Sequence, residues 1–360
     1  MTRRRVLLLF GGRSAEHDVS RVTAVAVARA LDPEKYEVVP VAITTDGRWL
    51  LADGARRQLE AGTAALPPAF AADGQEVGIG GLATGSGSPL AVDVVVPLLH
   101  GPYGEDGTVQ GLLELADLPY VGSGVVGSAV AMDKVMMRRA FAAAGLAQPR
   151  WTTFREGHDR AVLRDEVERF GYPCFVKPAN MGSSVGVSKV HEVDALDEAV
   201  DRALAFDEWV QVEEGIAGRE IEVGILGDDP PEASVPGEIL PGDEFYSYAD
   251  KYEDGRAQLL VPAPLAAGET AEVRALATRA FEACRGEGMA RVDLFFEEGG
   301  RGFLLNEVNT IPGFTPISMY PRLWEASGVT YATLLDRLID LAVTRHDRRA
   351  KRAGRHRDDA

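Results

Sequence analysis

Apolar runs and glycine turns alternate along the first third of the chain. The run Val6–Phe10 has no polar position and stops at Gly11 and Gly12, as expected for a parallel strand that is buried on both faces. The pattern predicts three strands and two helices here: Val6–Phe10, Tyr36–Ile43 and Val92–Leu98 as strands, and Val22–Leu31 and Thr108–Ala116 as helices. Such alternation favours an open parallel α/β sheet, which binds ligands at the carboxyl ends of its strands.

The rest of the chain shows two further patterns of elements. The second region has a basic helix around Lys134, strands Cys174–Lys177, Gly186–Val190 and Trp209–Val212, and helix Val193–Ala205. The third has strand Glu220–Leu226, a polar loop Pro241–Arg256, helix Ala271–Glu287, a hairpin Ala290–Thr310 and helix Tyr331–Thr344. Ala52–Pro89, rich in Ala, Gly and Ser, is predicted to be a loop.

These patterns predict three domains and a tail. The predicted bounds are 1–125 for an N-terminal α/β domain, 126–210 for a central domain, 211–345 for a C-terminal domain and 346–360 for a disordered tail. The tail is predicted because Arg345–Ala360 is strongly basic and has no apolar face, as is typical of a frayed, solvated end.

The predicted hairpin carries the plainest candidate chemistry. If its turn is centred on Gly300, Asp293 faces Glu307 and Arg291 faces Asn309, and the strand period of two puts all four on one face. Two like charges that face each other destabilise a strand pair, so the arrangement calls for a cation. Carboxylate and amide oxygens suit Mg²⁺. On the hairpin alone, a solvated strand face with incidental acids is an equal alternative.

A lysine and a glycine-rich segment form a second candidate site. Lys177 ends a predicted strand, and Gly182-Ser-Ser-Val-Gly186 follows it. Glycines let backbone N–H groups approach a phosphate, hydroxyls add donors, and the lysine supplies a positive charge. The lysine precedes the glycines, so this is not the common P-loop motif, and an ordinary hairpin turn is the alternative.

The segment Val210–Glu220 reads as a strand, a short linker and a second strand. Its backbone could hydrogen-bond the edge of a purine, and a carboxylate could hold a ribose. Taken alone, the segment fits a plain connector between two strands better than it fits a nucleotide-binding site.

Composition and charge exclude several classes of protein. With a net charge of −17, the chain is a poor candidate for binding nucleic acid by bulk charge. No apolar stretch approaches the roughly 20 residues that span a membrane, and Val6–Phe10 is too short for a secretory signal core. Cys174 and Cys284 lack metal-like spacing and are predicted to be buried free thiols. We therefore expect a cytoplasmic protein without nucleic-acid or membrane partners.

The order of the motifs along the chain indicates a family. The motifs are Phe10-Gly-Gly-Arg-Ser-Ala-Glu-His-Asp-Val-Ser20, His100-Gly-Pro-Tyr-Gly-Glu-Asp-Gly107, Met132-Asp-Lys134, the Lys177-Pro178 loop, Tyr248-Ala-Asp-Lys-Tyr252, Arg291-Val-Asp293, Asn306-Glu-Val-Asn-Thr-Ile-Pro-Gly-Phe-Thr315 and Ser318-Met-Tyr-Pro321. Together they resemble the D-alanine–D-alanine ligases of the ATP-grasp superfamily. The resemblance implies a fold of class α/β and α+β, with a three-domain ATP-grasp architecture and an N-terminal open parallel sheet.

The resemblance also implies roles for individual residues. ATP would lie between the second and third regions and contact Lys134, Lys177, Ser183, Ser184, Glu213, Ile216 and Glu220. Two Mg²⁺ ions, for which Mn²⁺ can substitute, would be held by Asp293, Glu307 and Asn309. The residues implied in substrate binding are Glu16, His100, Lys251 and Ser318. The residues implied in catalysis are Glu16, Ser183, Tyr252, Arg291 and Gly313.

By the same resemblance, the carboxylate of one D-alanine attacks the γ-phosphate of ATP, and the amine of a second D-alanine then displaces phosphate from the acyl phosphate. Arg291 and the amide of Gly313 would stabilise the oxyanion. Glu16 would bind the ammonium of the first D-alanine and form a hydrogen-bonded set with Ser183 and Tyr252, the latter on a loop that closes as a lid. The product would serve peptidoglycan precursor synthesis, and the enzyme would be a homodimer.

Several alternatives stay open at this point. Ligases that make D-alanyl-D-lactate carry histidine in the role of Tyr252, so D-alanine is favoured over a hydroxy acid, whereas D-serine remains an alternative second substrate. An inactive nucleotide-binding regulator is disfavoured because Lys177 and the implied metal ligands are all present. A dinucleotide-dependent oxidoreductase is disfavoured because Gly11-Gly-Arg-Ser-Ala-Glu16 lacks the second and third glycines of the fingerprint. Another ATP-grasp ligase is the most serious rival.

Overall fold

Three sheets organise the part of the chain that the computed structural model describes, residues 3–62, 66–77, 91–240 and 258–352. The first sheet consists of β1 (Arg4–Gly11), β2 (Tyr36–Ile43), β3 (Trp49–Leu51), β4 (Gln75–Glu76) and β5 (Val94–Pro97). The second consists of β6 (Trp151–Arg155), β7 (Cys174–Pro178), β8 (Ser188–Val190) and β9 (Trp209–Glu214). The third consists of β10 (Arg219–Leu226), β11 (Glu232–Leu240), β12 (Gln258–Leu260), β13 (Met289–Glu297) and β14 (Gly302–Asn309).

Ten helices are found in the same part of the chain. They are α1 (His17–Ala30), α2 (Asp53–Glu60), α3 (Thr108–Leu115), α4 (Val125–Met132), α5 (Lys134–Ala143), α6 (Arg160–Phe170), α7 (Leu196–Leu204), α8 (Ala267–Ala283), α9 (Met319–Ala326) and α10 (Tyr331–Ala350). A short 3-10 turn, Val193–Ala195, precedes α7. Helix α8 begins earlier than the sequence suggested because Glu269 accepts a hydrogen bond from the amide of Ala266 at 2.7 Å, which caps its first turn. None of the described helices is long and apolar enough to cross a membrane.

The first sheet is mixed rather than fully parallel. Its order is β4-β3-β2-β1-β5, and β1 pairs in parallel with both β2 and β5, which confirms the predicted centre of the sheet. At one edge, β3 and β4 are antiparallel. The reason is the tight turn after β2, where the amide of Gly47 donates to Thr44 O at 2.9 Å, because a short turn can join only antiparallel strands. The prediction of a loop over Ala52–Pro89 was wrong for Asp53–Glu60 and Gln75–Glu76, which form α2 and β4, while 63–65 and 78–89 lie outside the described residues.

Strand β1 is the centre of the N-terminal core. The side chains of Val6 and Leu8 belong to an apolar cluster on one face of the sheet, and those of Leu7 and Leu9 to a cluster on the other. All four are fully buried, as predicted for a strand covered on both faces. Helices α1 and α10 cover the first face, and α3 covers the second.

Helix α10 differs from its prediction in length and position. The sequence assigned it to the third region and ended it at Thr344, but it continues to Ala350 and packs on the first sheet beside α1. The predicted frayed tail is therefore wrong for Arg345–Ala350. Arg345 is 3% exposed, and its guanidinium donates to the carbonyls of Gly122 and Tyr120. Its guanidinium carbon lies 4.6 Å from the centroid of the Tyr120 ring, so a basic residue that looked solvated is part of the core.

The second and third sheets form the two walls that face each other across the cleft. The second has the order β6-β9-β7-β8, and α6 and α7 supply apolar residues to its core. Because β9 ends at Glu214, this sheet extends past the boundary predicted at residue 210. The third sheet has the order β12-β11-β10-β13-β14, and α8 packs against its apolar face. The other face of β13 and β14 borders the cleft, where polar side chains stand beside the apolar Phe295.

Arg345 offers a test of how α10 is held. We expect Arg345→Met to lower the free energy of unfolding by about 2–3 kcal/mol, because two buried carbonyls lose a charged donor. Urea denaturation followed by circular dichroism measures the effect. The matched control is Arg348→Met on the same helix, whose side chain is 46% exposed beside Asp228 and should contribute under about 1 kcal/mol. Equal losses for the two variants would contradict the burial of Arg345 as the cause.

Candidate active site

A cleft of about 1140 Å³ is bordered by strands of the second and third sheets, and by α1 and the segments after β1 and β5 of the first sheet. Every candidate residue that the structure describes lines it: Glu16, His100, Lys134, Lys177, Ser183, Ser184, Glu213, Ile216, Glu220, Arg291, Asp293, Glu307, Asn309, Gly313 and Ser318. The two remaining candidates, Lys251 and Tyr252, lie outside the described residues. The cleft is large enough for a nucleotide together with small substrates.

The β13–β14 hairpin has the predicted facing pairs. Asp293 lies opposite Glu307, and Arg291 lies opposite Asn309. The register then shifts, because Leu294 pairs with Leu305, and Asn306 is left as the extra residue of a β-bulge. The prediction from a single continuous register gave the pairs at the open end of the hairpin correctly but did not include this bulge.

The hairpin's charges are partly offset within the protein. Arg291 donates from Nε to Asp293 Oδ1 at 2.7 Å and from Nη2 to Asp293 Oδ2 at 2.6 Å. Its Nε also lies 3.1 Å from Oε2 of Glu222, a residue of β10 that sits opposite Asp293. Burial alone would lower the pKa of Arg291, but Asp293 and Glu222 outweigh it and raise that pKa well above its usual value. Sequence analysis missed Glu222, although its spacing from the candidate Glu220 puts both on one strand face.

The oxygen atoms at this end of the hairpin fit Mg²⁺ bound together with phosphate. Among the described residues, no group of three or more His, Cys, Asp or Glu side chains could hold a metal ion by itself. A third protein ligand would have to be Asn309, whose Nδ2 donates to Asp293 Oδ2 at 2.9 Å and lies 3.4 Å from Glu307 Oε1. Turning that amide by half a revolution would direct its oxygen toward the carboxylates. Two carboxylates with one amide is a set that suits Mg²⁺ when substrate phosphates complete its coordination.

The loop between β7 and β8 has the backbone of an anion-binding turn. Ser183 and Ser184 have φ values of 49° and 59°, which side-chain-bearing residues rarely adopt and which occur often at functional sites. Gly186 follows with φ 72°. A β-carbon there would lie 2.7 Å from Phe206 Cδ2 and 2.8 Å from Pro178 Cγ, so glycine is required. Successive amides in such turns form concave sites for phosphate.

Two lysines approach this loop from different elements. Lys134 begins α5, where Asp133 caps the helix by accepting from the amide of Met136, and its Nζ donates to Met181 O. Burial and the neighbouring Lys177 lower the pKa of Lys134, while Glu307, Glu213 and Glu105 act in the opposite direction. A bound phosphate would relieve the repulsion between the two ammonium groups.

On the second sheet, Glu213 accepts hydrogen bonds from three side chains. Its carboxylate accepts from Lys177 Nζ, from the guanidinium of Arg138 and from Gln211 Nε2. Burial alone would raise the pKa of Glu213, but Lys177 and Arg138 outweigh it and lower that pKa to about 2. Arg138 is 1% exposed and also donates to Leu305 O, so it links the second sheet to the hairpin. No pattern in the sequence distinguished Arg138 from its exposed neighbour Arg139.

Glu16 and Glu105 lie together at the end of the cleft nearest the first sheet. A β-carbon placed at Gly182 would be 3.6 Å from Glu16 Oε2 and 3.9 Å from Glu105 Oε1. Glu105 also accepts from the amide of Gly101 at 2.7 Å. Burial and the charges of Glu16 and Glu307 raise the pKa of Glu105 to about 8, against the smaller effects of the Gly101 amide and Lys134. Two carboxyl groups therefore lie beside the loop between β7 and β8, and that of Glu105 is mostly protonated at neutral pH.

His100 and Ser318 border the same end. His100 is 6% exposed, its Nδ1 lies 3.1 Å from Ile311 O, and its Nε2 is buried without a hydrogen-bond partner among the described residues. Such an atom is an apt donor or acceptor for a small substrate. Ser318 accepts from the amide of Thr315 at 3.2 Å, and a β-carbon at Gly313 would be 3.1 Å from its Oγ.

Comparisons with known proteins agree with this arrangement. The family model described as "D-ala D-ala ligase N-terminus" matches residues 5–123, and the one described as "D-ala D-ala ligase C-terminus" matches residues 140–340. The chain belongs to the D-alanine–D-alanine ligase family. A D-alanine–D-alanine ligase of Thermoanaerobacter sp. (strain X514) is 47% identical over 98% of this chain and 99% of the relative. One of Geobacillus thermodenitrificans is 48% identical over 95% of this chain and 96% of the relative.

Solved structures of the family share the fold. The D-alanine–D-alanine ligase from Coxiella burnetii superposes with a TM-score of 0.82 at 34% identity, covering 98% of this chain and 97% of that structure. The VanG D-Ala:D-Ser ligase from Enterococcus faecalis also gives 0.82, at 33% identity, covering 95% of this chain and 100% of that structure. The predicted ATP-grasp family and fold class are thereby confirmed.

The raised pKa of Glu105 gives a test by pH. Between the ordinary carboxyl pKa of 4.5 and about 8, the folded protein holds a proton that the unfolded chain has lost, so stability falls as pH rises through this window. Glu105→Gln imitates the neutral acid and should lack this loss. We expect the variant to gain about 2 kcal/mol relative to wild type between pH 5 and pH 8, a figure that allows for solvent in the open cleft.

The measurement is urea unfolding of ligand-free protein in the presence of a chelator. Glu60→Gln, which removes an exposed carboxylate from α2, is the control and should follow wild type at every pH. Parallel stability curves for wild type and Glu105→Gln would show that Glu105 ionises normally.

Proposed function

We propose that this chain is an ATP- and Mg²⁺-dependent ligase that joins two D-alanine molecules, giving D-alanyl-D-alanine, ADP and phosphate for peptidoglycan precursor synthesis. The observation that carries the proposal is the convergence of three features in one cleft. They are the loop with Ser183, the hairpin with Asp293, and the end of the cleft bordered by Glu16 and His100. Membership of the family, with 47% identity over 98% of the chain, supports the choice of substrate.

The phosphates of ATP are assigned to the loop between β7 and β8 of the second sheet. Lys134 and Lys177 supply positive charge, and the hydroxyls and amides of Ser183 and Ser184 supply donors. The adenine is assigned to the end of β9 and the linker after it, with Glu213 and the backbone of Ile216 as partners. Glu220, on the strand that follows, is assigned to the ribose.

The hairpin is assigned to the metal. Asp293, Glu307 and Asn309 would hold two Mg²⁺ ions, or Mn²⁺ in their place, which neutralise phosphate charge when bound. Arg291 lies beside them and keeps its charge at any physiological pH, because its carboxylate neighbours hold its pKa high. It is therefore suited to stabilise negative charge that develops on the substrate.

The proposed reaction has two steps. A carboxylate oxygen of the first D-alanine bonds to the γ-phosphorus, and the bond from that phosphorus to the β-phosphate oxygen breaks to release ADP. The neutral amine of the second D-alanine then attacks the activated carbonyl carbon, the bond from that carbon to the phosphate oxygen breaks, and the proton lost by the nitrogen passes to the released phosphate or to solvent. Phosphorylation is needed because a free carboxylate has no good leaving group. Arg291 and the amide of Gly313 stabilise the oxyanion between attack and departure.

The substrates are assigned to the end of the cleft nearest the first sheet. Glu16 binds the ammonium of the first D-alanine, and the buried Nε2 of His100 donates to or accepts from the same molecule. Ser318 helps to place the second substrate. Lys251 helps to place the second substrate or the transferring phosphate, and Tyr252 belongs to the lid, as the family resemblance implies.

We also propose a cytoplasmic location and a homodimeric state for the protein. Cys174 and Cys284 are both buried and free, which fits the reducing cytoplasm expected from the sequence. A homodimer is proposed from the family resemblance, and sedimentation equilibrium of the purified chain measures it.

D-Serine is the second candidate for the accepting amine, since one solved relative is named a D-Ala:D-Ser ligase at 33% identity. Product analysis by mass spectrometry, with ATP, Mg²⁺ and equimolar D-alanine, D-serine and D-lactate, separates the choices. We expect D-alanyl-D-alanine as the main product and phosphate release that depends on D-alanine. A predominant mixed dipeptide or depsipeptide would overturn the proposed specificity, and phosphate release indifferent to D-alanine would overturn the ligase itself.

A further inference from the structure

A buried carboxylate joins two sheets at the adenine end of the cleft. Glu214 is the last residue of β9, is 5% exposed and lines the cleft next to Glu213. Its neighbours are Arg150, which directly precedes β6 of the second sheet, and Arg301, in the turn between β13 and β14 of the third. A single side chain thus connects the strand assigned to adenine with the hairpin assigned to the metal.

The contacts occupy both oxygens of Glu214. Its Oε1 accepts from the amide of Arg150 at 2.7 Å and from Arg301 Nη1 at 2.6 Å, and its Oε2 accepts from Arg150 Nε at 2.8 Å. Arg301 is itself held by Glu297, with Nε 2.6 Å from Oε2 and Nη2 2.9 Å from Oε1. The connection therefore runs from the second sheet through Glu214 to both ends of the hairpin turn.

The carboxylate is the buried member of the group. The side chains of Arg150 and Arg301 are 57% and 43% exposed, so water shares their charge, whereas that of Glu214 is 6% exposed. Burial alone would raise the pKa of Glu214, but the hydrogen bonds from Arg150 and Arg301 outweigh it and lower that pKa. Glu214 is therefore charged at neutral pH, and charge-assisted hydrogen bonds of this kind are stronger and more directional than neutral ones.

The backbone around Glu214 has little freedom to adapt. The amide of Gly215 donates to Pro173 O at 2.8 Å, and a β-carbon at Gly215 would be 2.8 Å from that same oxygen. A β-carbon at Gly218 would likewise be 2.8 Å from Phe296 O, on β13 of the hairpin. The linker that includes Ile216 is thus pressed between the two sheets, and a change in their separation would move it.

We propose that Glu214 is a positioning residue, which by joining Arg150 to Arg301 fixes the separation of the second sheet and the hairpin and so sets the affinity of the cleft for nucleotide. It acts through the placement of Glu213 and Ile216 and does not touch the reacting atoms. The inference rests on the proposed function in so far as a nucleotide occupies this cleft.

The test uses the full chain with Glu214→Gln, Arg301→Met and the double variant. Glutamine keeps the shape of Glu214 and removes its charge. We expect the Kd of ADP with Mg²⁺, measured by calorimetry, and the KM for ATP to rise about tenfold in each single variant, as for the loss of one charge-assisted contact. The kcat and the KM for D-alanine should stay within about twofold. The double variant should be no worse than Arg301→Met, since both remove the same connection.

Glu208→Gln is the matched control. It breaks an exposed ion pair with Arg155 at the opposite end of the β6–β9 pair, where the two atoms are 3.3 Å apart, and should leave all four constants unchanged. Unchanged nucleotide affinity in Glu214→Gln and Arg301→Met would overturn the inference, as would an equal fall of kcat without a change in KM for ATP.

Two further results separate a failure of this inference from a folding defect and from a failure of the proposed function. If Glu214→Gln fails to fold, Arg301→Met decides alone, because Arg301 lies in an exposed turn and its removal leaves the contacts within the second sheet intact. Nucleotide binding is measured apart from ligation. A wild-type protein that binds ADP but makes no D-alanyl-D-alanine would therefore sink the proposed function, while the nucleotide affinities still decide the role of Glu214.

Discussion

The repulsion between Asp293 and Glu307 is the constraint on which the rest of the site depends. Two carboxylates that face each other across a strand pair destabilise it unless positive charge comes close. Arg291 supplies part of that charge from the same face, and Asn309 donates to both acids. The remaining negative charge points into the cleft. This concentration of carboxylates beside the cleft is the physical reason for proposing the hairpin as the site of a divalent metal.

On the wall opposite the hairpin, the repulsion is between positive charges. Lys134 and Lys177 bring two ammonium groups to one loop, and Glu213 offsets them only in part because it is also shared with Arg138. A nucleotide phosphate with its metal would satisfy both walls at once. The pKa shifts of Lys134, Glu213 and Glu105 around this cleft follow the pattern expected of a functional site. Through its contacts with Arg150 and Arg301, Glu214 holds the two walls at a set distance.

Local pattern and tertiary placement explain which parts of the site could be predicted. The facing pairs of the hairpin follow from the strand period, and the glycine-rich turn follows from its composition, because both depend on residues close in sequence. The bulge at Asn306 and the place of α10 on the first sheet depend on distant packing and were missed. Buried charges beyond the motifs were missed for the same reason, since a charged residue shows its burial only in its partners: Arg138, Glu222 and Arg345. The choice of D-alanine came from resemblance rather than from physics.

Counting bound metal ions tests the central claim most directly. Electron paramagnetic resonance of Mn²⁺, titrated into protein saturated with ADP and phosphate, reports free and bound metal separately. We expect two ions bound per chain in wild type and a loss of at least one in Asp293→Asn. Asp46→Asn, which changes an exposed acid outside the cleft, should behave like wild type. The same number of ions bound with the same affinity in Asp293→Asn as in wild type would contradict the hairpin as the metal site.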